Sequence, residues 1–300
     1  MENQQVVVVG SLNYDLILKQ ERLPKKGETF TADELVQGPG GKGANQAAQC
    51  AKLGLSTAII GKVGEDRFGE ALIGSLTAVG VNVDCVSRQG TTGLGVVNVL
   101  ADGDYHSTLL KGANHLITKD DINQHLELIT NCEYLLLQQE IPAPIIDHVI
   151  EMARTADCKI VLNNAPARDI KEESLANVDI LVVNETEAEY MSNSTVNSID
   201  LAHHVASALV QRVKSTVILT LGELGAVIAT KNHSFYAPAK KADAVDTTGA
   251  GDSYIGALIF SLVKGYTLQE ATEIASTVSA ITVARYGGSE SFPTLSEIQL

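Results

Sequence analysis

The sequence predicts an α/β fold: a doubly wound, mostly parallel sheet carrying a small β-sheet lid. Three observations carry that expectation. Val6 to Val9 is an unbroken four-valine run closed by Gly10, the pattern of a short strand buried on both faces. Beyond Ser56, apolar runs of strand length alternate with segments of helical period, which implies parallel strands joined by helices. Leu16 to Val36 and Val96 to Leu110 instead show strand–turn–strand signals, at Pro24-Lys25-Lys26-Gly27 and Asp102-Gly103. These strands are expected to leave the main sheet and form a separate lid, within residues 12–38 and 94–112.

Taken in order, helices are expected over Gln46 to Leu53, Asp66 to Val79, Thr118 to Ile129, Ala143 to Arg154, Tyr254 to Val263 and Thr267 to Arg285. Strands are expected at Thr57 to Gly61, Tyr134 to Gln138, Lys159 to Leu162, Ile180 to Val183, Val217 to Thr220 and Ala226 to Ala229. Phe235 to Val245 reads as an extended run, and the last residues as an amphipathic tail. No repeat, linker or low-complexity tract divides residues 1–300, so a single domain is expected.

Composition narrows the function. A formal charge of −14 argues against nucleic acid as a partner, since such a surface is basic. No apolar run reaches membrane-spanning length, and Met1 to Val9 lacks a signal-peptide pattern. Cys50, Cys85, Cys132 and Cys158 are scattered without a CxxC, which reads as free thiols in a reducing, cytoplasmic setting.

The richest stretch is Asp246-Thr247-Thr248-Gly249-Ala250-Gly251-Asp252, directly before an apolar helix. Small residues at a helix start expose backbone N–H groups at the positive dipole end, an anion site. Asp252, in the first turn, is placed to accept a proton beside that site. An anion cradle next to a base is what phosphoryl transfer to an alcohol requires. The same stretch also reads as a plain N-cap turn.

Polar residues collect where predicted strands end. Asn13 and Asp15 lie two apart and project to one side of an extended chain, suited to neighbouring hydroxyls of a polyol. Glu140, Asn163 and Asn164 follow other strands. Asn184 and Glu187, three apart at a helix start, suit either hydrated Mg²⁺ or helix capping. The turn Leu221-Gly222-Glu223-Leu224-Gly225 permits close approach of a nucleotide. Gly38-x-Gly40-x-x-Gly43 matches a dinucleotide fingerprint only formally, because it does not follow the first buried strand.

Gly40 to Ala47 and Asp246 to Ile259 resemble the two signatures of the PfkB carbohydrate-kinase family. Gly10 to Asp15, Asn163 to Ala167 and Asn184 to Glu189 are similar to its ribokinase branch. The resemblance covers nearly the whole chain and implies a ribokinase-like fold whose lids pair in a homodimer. It implies ATP-dependent phosphorylation of the 5-hydroxyl of D-ribose, with Asp252 as general base and Gly249, Ala250 and Gly251 as anion hole. Asn13, Asp15, Gly41, Lys42, Asn45 and Glu140 would hold the sugar. Asn184, Thr220, Gly222, Gly225, Gly251 and Ser276 would serve the nucleotide, and Glu187 the Mg²⁺. Asp246, Thr248, Thr282, Arg285, Gly287 and Ser291 match an activating K⁺ site. Asn13 favours a sugar bearing a 2-hydroxyl. Kinases of 2-deoxyribose, fructose or a nucleoside, and a non-catalytic sugar or nucleotide sensor on the same fold, are the alternatives.

Overall fold

A computed structural model describes residues 4–101 and 105–298. In chain order its strands and helices are β1 (Val6–Val9), β2 (Asn13–Gln20), β3 (Glu34–Gly40), α1 (Lys42–Lys52), β4 (Thr57–Val63), α2 (Arg67–Ala78), β5 (Val86–Arg88), β6 (Gly93–Leu100), β7 (Tyr105–Leu110), α3 (Lys119–Asn123), α4 (Leu126–Thr130) and β8 (Tyr134–Gln138). They continue as α5 (Ala143–Ala153), β9 (Lys159–Asn163), α6 (Glu172–Leu175), β10 (Ile180–Asn184), α7 (Glu185–Ser192), α8 (Ile199–Leu209), β11 (Thr216–Thr220), β12 (Gly225–Thr230), β13 (Ser234–Pro238), α9 (Ala250–Val263) and α10 (Leu268–Val283).

The main sheet has nine strands in the order β13-β12-β11-β10-β9-β8-β1-β4-β5. It is parallel from β11 to β5, and antiparallel only where β12 and β13 are added at one edge. The valine run is third from the β5 edge, between β8 and β4, and is fully buried. Val7 and Val9 belong to the apolar cluster on one face, Val6 and Val8 to the cluster on the other. Alternate residues of a strand face opposite sides, so a strand covered on both sides must be apolar at every position. Full burial of each valine side chain contributes about 1.5–3 kcal/mol.

The smaller sheet has the order β3-β2-β6-β7. It is entered from β1 through Gly10 to Leu12 and left through Gly41, the residue between β3 and α1. Both junctions lie at the end of β1, so chain connectivity alone places the small sheet over that edge of the main sheet.

Several boundaries differ from expectation. Helix α1 starts at Lys42 rather than Gln46, with Gly41 at its N-cap in the left-handed region (φ 89°). A Cβ at Gly41 would lie 2.5 Å from the Asn13 backbone nitrogen, so the glycine that reads as loop by propensity is required by close packing. The helix expected over Thr118 to Ile129 is two short ones, broken at Gln124-His125. The extended run from Phe235 is a strand only to Pro238. The expected tail is a single 3₁₀ turn, Leu295–Glu297. The Asp102-Gly103 turn lies outside the described residues.

Candidate active site

Helix α9 begins as its sequence suggests. Gly249 is its N-cap in the left-handed region (φ 75°), and Asp252 lies in the first turn. A Cβ at Gly249 would meet the Phe292 ring at 2.7 Å, so packing as well as φ selects glycine. Among the described residues, the N–H groups of Gly249, Gly251 and Asp252 have no protein partner, while that of Ala250 donates to Thr247 O at 3.2 Å. Two of the three expected anion donors are therefore free, the N–H of Asp252 is free beside them, and the third closes the turn.

Two clefts meet at this helix end. A cleft of about 770 Å³ is lined by Thr220, Gly222, Gly225, Gly251 and Ser276, five of the six residues assigned to the nucleotide, together with Tyr254; Asn184 lines only the smaller one. The smaller cleft, of about 300 Å³, is lined by Lys42, Asn184, Glu187, Gly249 and Asp252. Thr220, Thr247, Ala250 and Gly251 line both. Anything spanning the two clefts passes over the free N–H groups of α9.

Two of the sugar-side residues, Asn13 and Lys42, meet on one carboxylate oxygen of a third, Glu140. Glu140 Oε2 accepts from Ser11 Oγ (2.5 Å), Lys42 N (3.1 Å) and Asn13 Nδ2 (3.3 Å). Asn13 is almost fully buried, and its Oδ1 accepts from Asn114 Nδ2 at 2.7 Å. Asp252 is buried as well, taking Asn45 Nδ2 on Oδ2 (3.0 Å) and Gln46 Nε2 on Oδ1 (3.0 Å). Asn45 is thus four residues into α1 and not a cap, and its Oδ1 is a buried acceptor with no partner among the described residues.

The charges are strongly coupled. Burial, then Glu140 and Asp252, push the Asp15 carboxyl up to about 7, with Lys42 opposing. Burial would lower the Lys42 ammonium, but Asp252, Glu140, Glu187 and Asp15 together raise it. Glu187 is raised, chiefly by burial, against the Asn184 N–H and Lys42. One cation among four carboxylates is an arrangement suited to a polar ligand that brings further positive charge.

Asn184 and Glu187 form a reciprocal capping box on α7: Asn184 N donates to Glu187 Oε2, and Glu187 N to Asn184 Oδ1, both at 2.9 Å. Capping and a place in the smaller cleft therefore coexist. The pair offers oxygen donors of the kind Mg²⁺ takes, and that ion keeps most of its waters. Among the described residues no three acidic, histidine or cysteine side chains gather as a cage.

Of the residues matched to a K⁺ site, Asp246 accepts from Thr248 N (2.9 Å) and Gly287 N (3.0 Å). Thr282 O accepts from Arg285 N (3.1 Å). The Arg285 guanidinium turns outward to Glu297 at 2.8 Å and reaches Ser291 O only at 3.5 Å. None of the six lines either cleft.

The profile of the pfkB family carbohydrate kinases matches residues 3–295. The chain belongs to the PfkB family. It is 34% identical to a ribokinase of Bacillus subtilis, over 99% of this chain and 98% of the relative. It is 33% identical to a deoxyribokinase of Salmonella typhi, over 97% and 96%. Among solved structures it superposes on a ribokinase of Arabidopsis thaliana complexed with ribose and ATP, with a TM-score of 0.90, 32% identity and 98% and 96% coverage. As a PfkB protein it has the ribokinase-like α/β fold with its second, smaller sheet, and it is a carbohydrate kinase.

Ser11, Asn114, Gln46 and Gln138 join this PfkB site without having been singled out as site residues from the sequence. Gln46 and Gln49 left a signal, as two amides three apart on a helix whose other residues from Gly43 to Cys50 are nearly all small and buried. Asn114 left none, since it sits in a 3₁₀ turn (Gly112–Leu116) that no pattern marks.

Proposed function

We propose that this chain transfers the γ-phosphoryl group of ATP to the 5-hydroxyl of D-ribose, with Asp252 as general base. The observation that carries this reading is the position of Asp252: buried, held by two amide donors, and beside free N–H groups where the two clefts join. ATP in the larger cleft would run its phosphates over the start of α9. The sugar would lie among Asn13, Asp15, Gly41, Lys42, Asn45 and Glu140. Asp252 takes the hydroxyl proton as the new O–P bond forms, and the bond from phosphorus to the β–γ bridging oxygen breaks to leave ADP. The uncovered N–H groups and Lys42 stabilise charge on the transferring group, which supplies most of the catalysis in such reactions.

Mg²⁺ bound near Glu187 and Asn184 would neutralise phosphate charge. The loops around Asp246 and Gly287 would carry the K⁺ site, acting on α9 through the Asp246–Thr248 turn. We read residues 1–300 as one cytoplasmic catalytic unit with the smaller sheet as lid. Leu35 and Leu110 are more than half exposed on lid strands, which supports pairing of two lids in a homodimer.

The deoxyribokinase relative supports a second reading, 2-deoxyribose as substrate. Asn13 favours ribose. It is buried and fixed by Asn114 and Glu140, and a sugar that left its remaining N–H unpaired would be penalised.

Asp252→Asn tests the reading. Sugar and nucleotide binding should persist while turnover falls by about 10²–10⁴-fold, the span typical of a general base. Near-normal turnover would remove Asp252 from the reaction.

A further inference from the structure

Asp252 is hydrogen-bonded to a chain of three amides, of which only Asn163 lines a cleft. Gln138 Nε2 donates to Gln46 Oε1 at 2.6 Å. Gln46 Nε2 then donates to Asp252 Oδ1 at 3.0 Å and to Asn163 Oδ1 at 3.3 Å. Asn163 Nδ2 donates to Val182 O at 3.2 Å. All three amides are buried, Gln138 completely.

The direction of each amide in this chain is forced. A backbone carbonyl can only accept, so Asn163 must turn its nitrogen to Val182 and its oxygen to Gln46. An ionised carboxylate can only accept, so Gln46 faces two acceptors and must present its nitrogen to both. Its oxygen then faces Gln138, which must in turn present nitrogen. The remaining Gln138 oxygen is a buried acceptor without a partner, against Gly10, where a Cβ would sit only 2.2 Å away. An acceptor left unpaired in a core is unfavourable.

We propose that Gln46, oriented by Gln138 and Asn163, is the positioning residue for Asp252, fixing the carboxylate in the plane from which it meets the sugar hydroxyl. This rests on Asp252 being the base. Asn45 holds the other oxygen, but Asn45 is also assigned to the sugar, so on ligand binding Gln46 is the donor that stays committed to the carboxylate.

The test compares Gln46→Leu, Gln46→Glu and Gln138→Met with the parent and with Asp252→Asn. The readouts are kcat, KM for sugar and nucleotide, equilibrium binding of both, and thermal unfolding. A misplaced reacting group costs up to about 10²-fold, so kcat should fall by roughly 10–10²-fold in both Gln46 variants. Sugar and nucleotide binding should stay within about threefold. Gln138→Met touches Gln46 and not Asp252, and should lower kcat in the same direction by a smaller factor. It decides the matter if the Gln46 variants do not fold. A packing role alone would leave kcat at the parent value in every variant that folds, and that result overturns the proposal. If Asp252→Asn is inactive while folded Gln46→Leu turns over at full rate, only the role of Gln46 falls. If Asp252→Asn remains active, the general-base reading fails and this inference with it.

Discussion

Asn45 and Asp252 stand 207 residues apart in the chain and are joined by a 3.0 Å hydrogen bond from Nδ2 to Oδ2. The bond ties the start of α1 to the start of α9. Helix α1 begins directly after the lid strand β3, with only Gly41 between them. The residue on which turnover is proposed to depend is thereby anchored to the segment that joins the smaller sheet to the main one.

Asp15 should make sugar binding depend on pH near neutrality. Its carboxyl is pushed up to about 7, by burial first and then by Glu140 and Asp252. Sugar hydroxyls donate to an ionised carboxylate, so KM for the sugar should fall as pH rises from 6 to 8. Asp15→Asn should flatten that dependence. The folded value also lies above the ordinary 3.8, so the folded protein holds a proton that the unfolded chain has released between about pH 4 and 7. In that window this group makes stability fall as pH rises. Urea unfolding of the parent and of Asp15→Asn should diverge toward pH 7, with the variant more stable.

Gly40 and Gly95 should act on the sugar site without unfolding the protein. A Cβ at Gly40 would lie 2.0 Å from Asp15 Oδ2, and one at Gly95 would lie 2.3 Å from Oδ1. The obstructed atoms are the end of a side chain that can swing away, so the backbone need not shift. Gly40→Ala and Gly95→Ala should each raise KM for the sugar at least about tenfold, the scale of a misplaced binding group, with nucleotide binding unchanged. An unchanged KM would separate Asp15 from the sugar.

Glu187 carries two roles that one substitution separates. Glu187→Gln keeps an oxygen to accept the Asn184 N–H, so the capping box on α7 should survive. Glu187→Ala should cost about 0.5–1.5 kcal/mol in stability through the lost bond to Asn184 N, with the Asn184 side-chain cap retained. If Glu187 also serves Mg²⁺, the half-saturating Mg²⁺ concentration should rise in the Gln variant. A normal Mg²⁺ titration there would leave Glu187 as a cap only.

Much of this site was legible because its residues mark local structure. Gly249 and Asp252 announce a helix start, and the valine run announces a strand buried on both faces. The start of α1 was not legible, since Gly41 and Gly43 are poor helix residues by propensity and are chosen for contact with the backbone of Ser11 and Asn13. The break between α3 and α4 hides because Ile122, Leu126 and Ile129 keep helical spacing across it. The amide chain through Gln46, Gln138 and Asn163 joins three segments, and no single stretch of sequence carries that relationship.

The central claim is best tested by ADP release from ATP and Mg²⁺ with ribose, 2-deoxyribose, fructose and adenosine, each with and without K⁺, followed by identification of the phosphorylated product. Turnover should be fastest with ribose, should be stimulated by K⁺, and should give ribose 5-phosphate as product. Faster turnover with 2-deoxyribose, or phosphate on any hydroxyl other than the fifth, would contradict it.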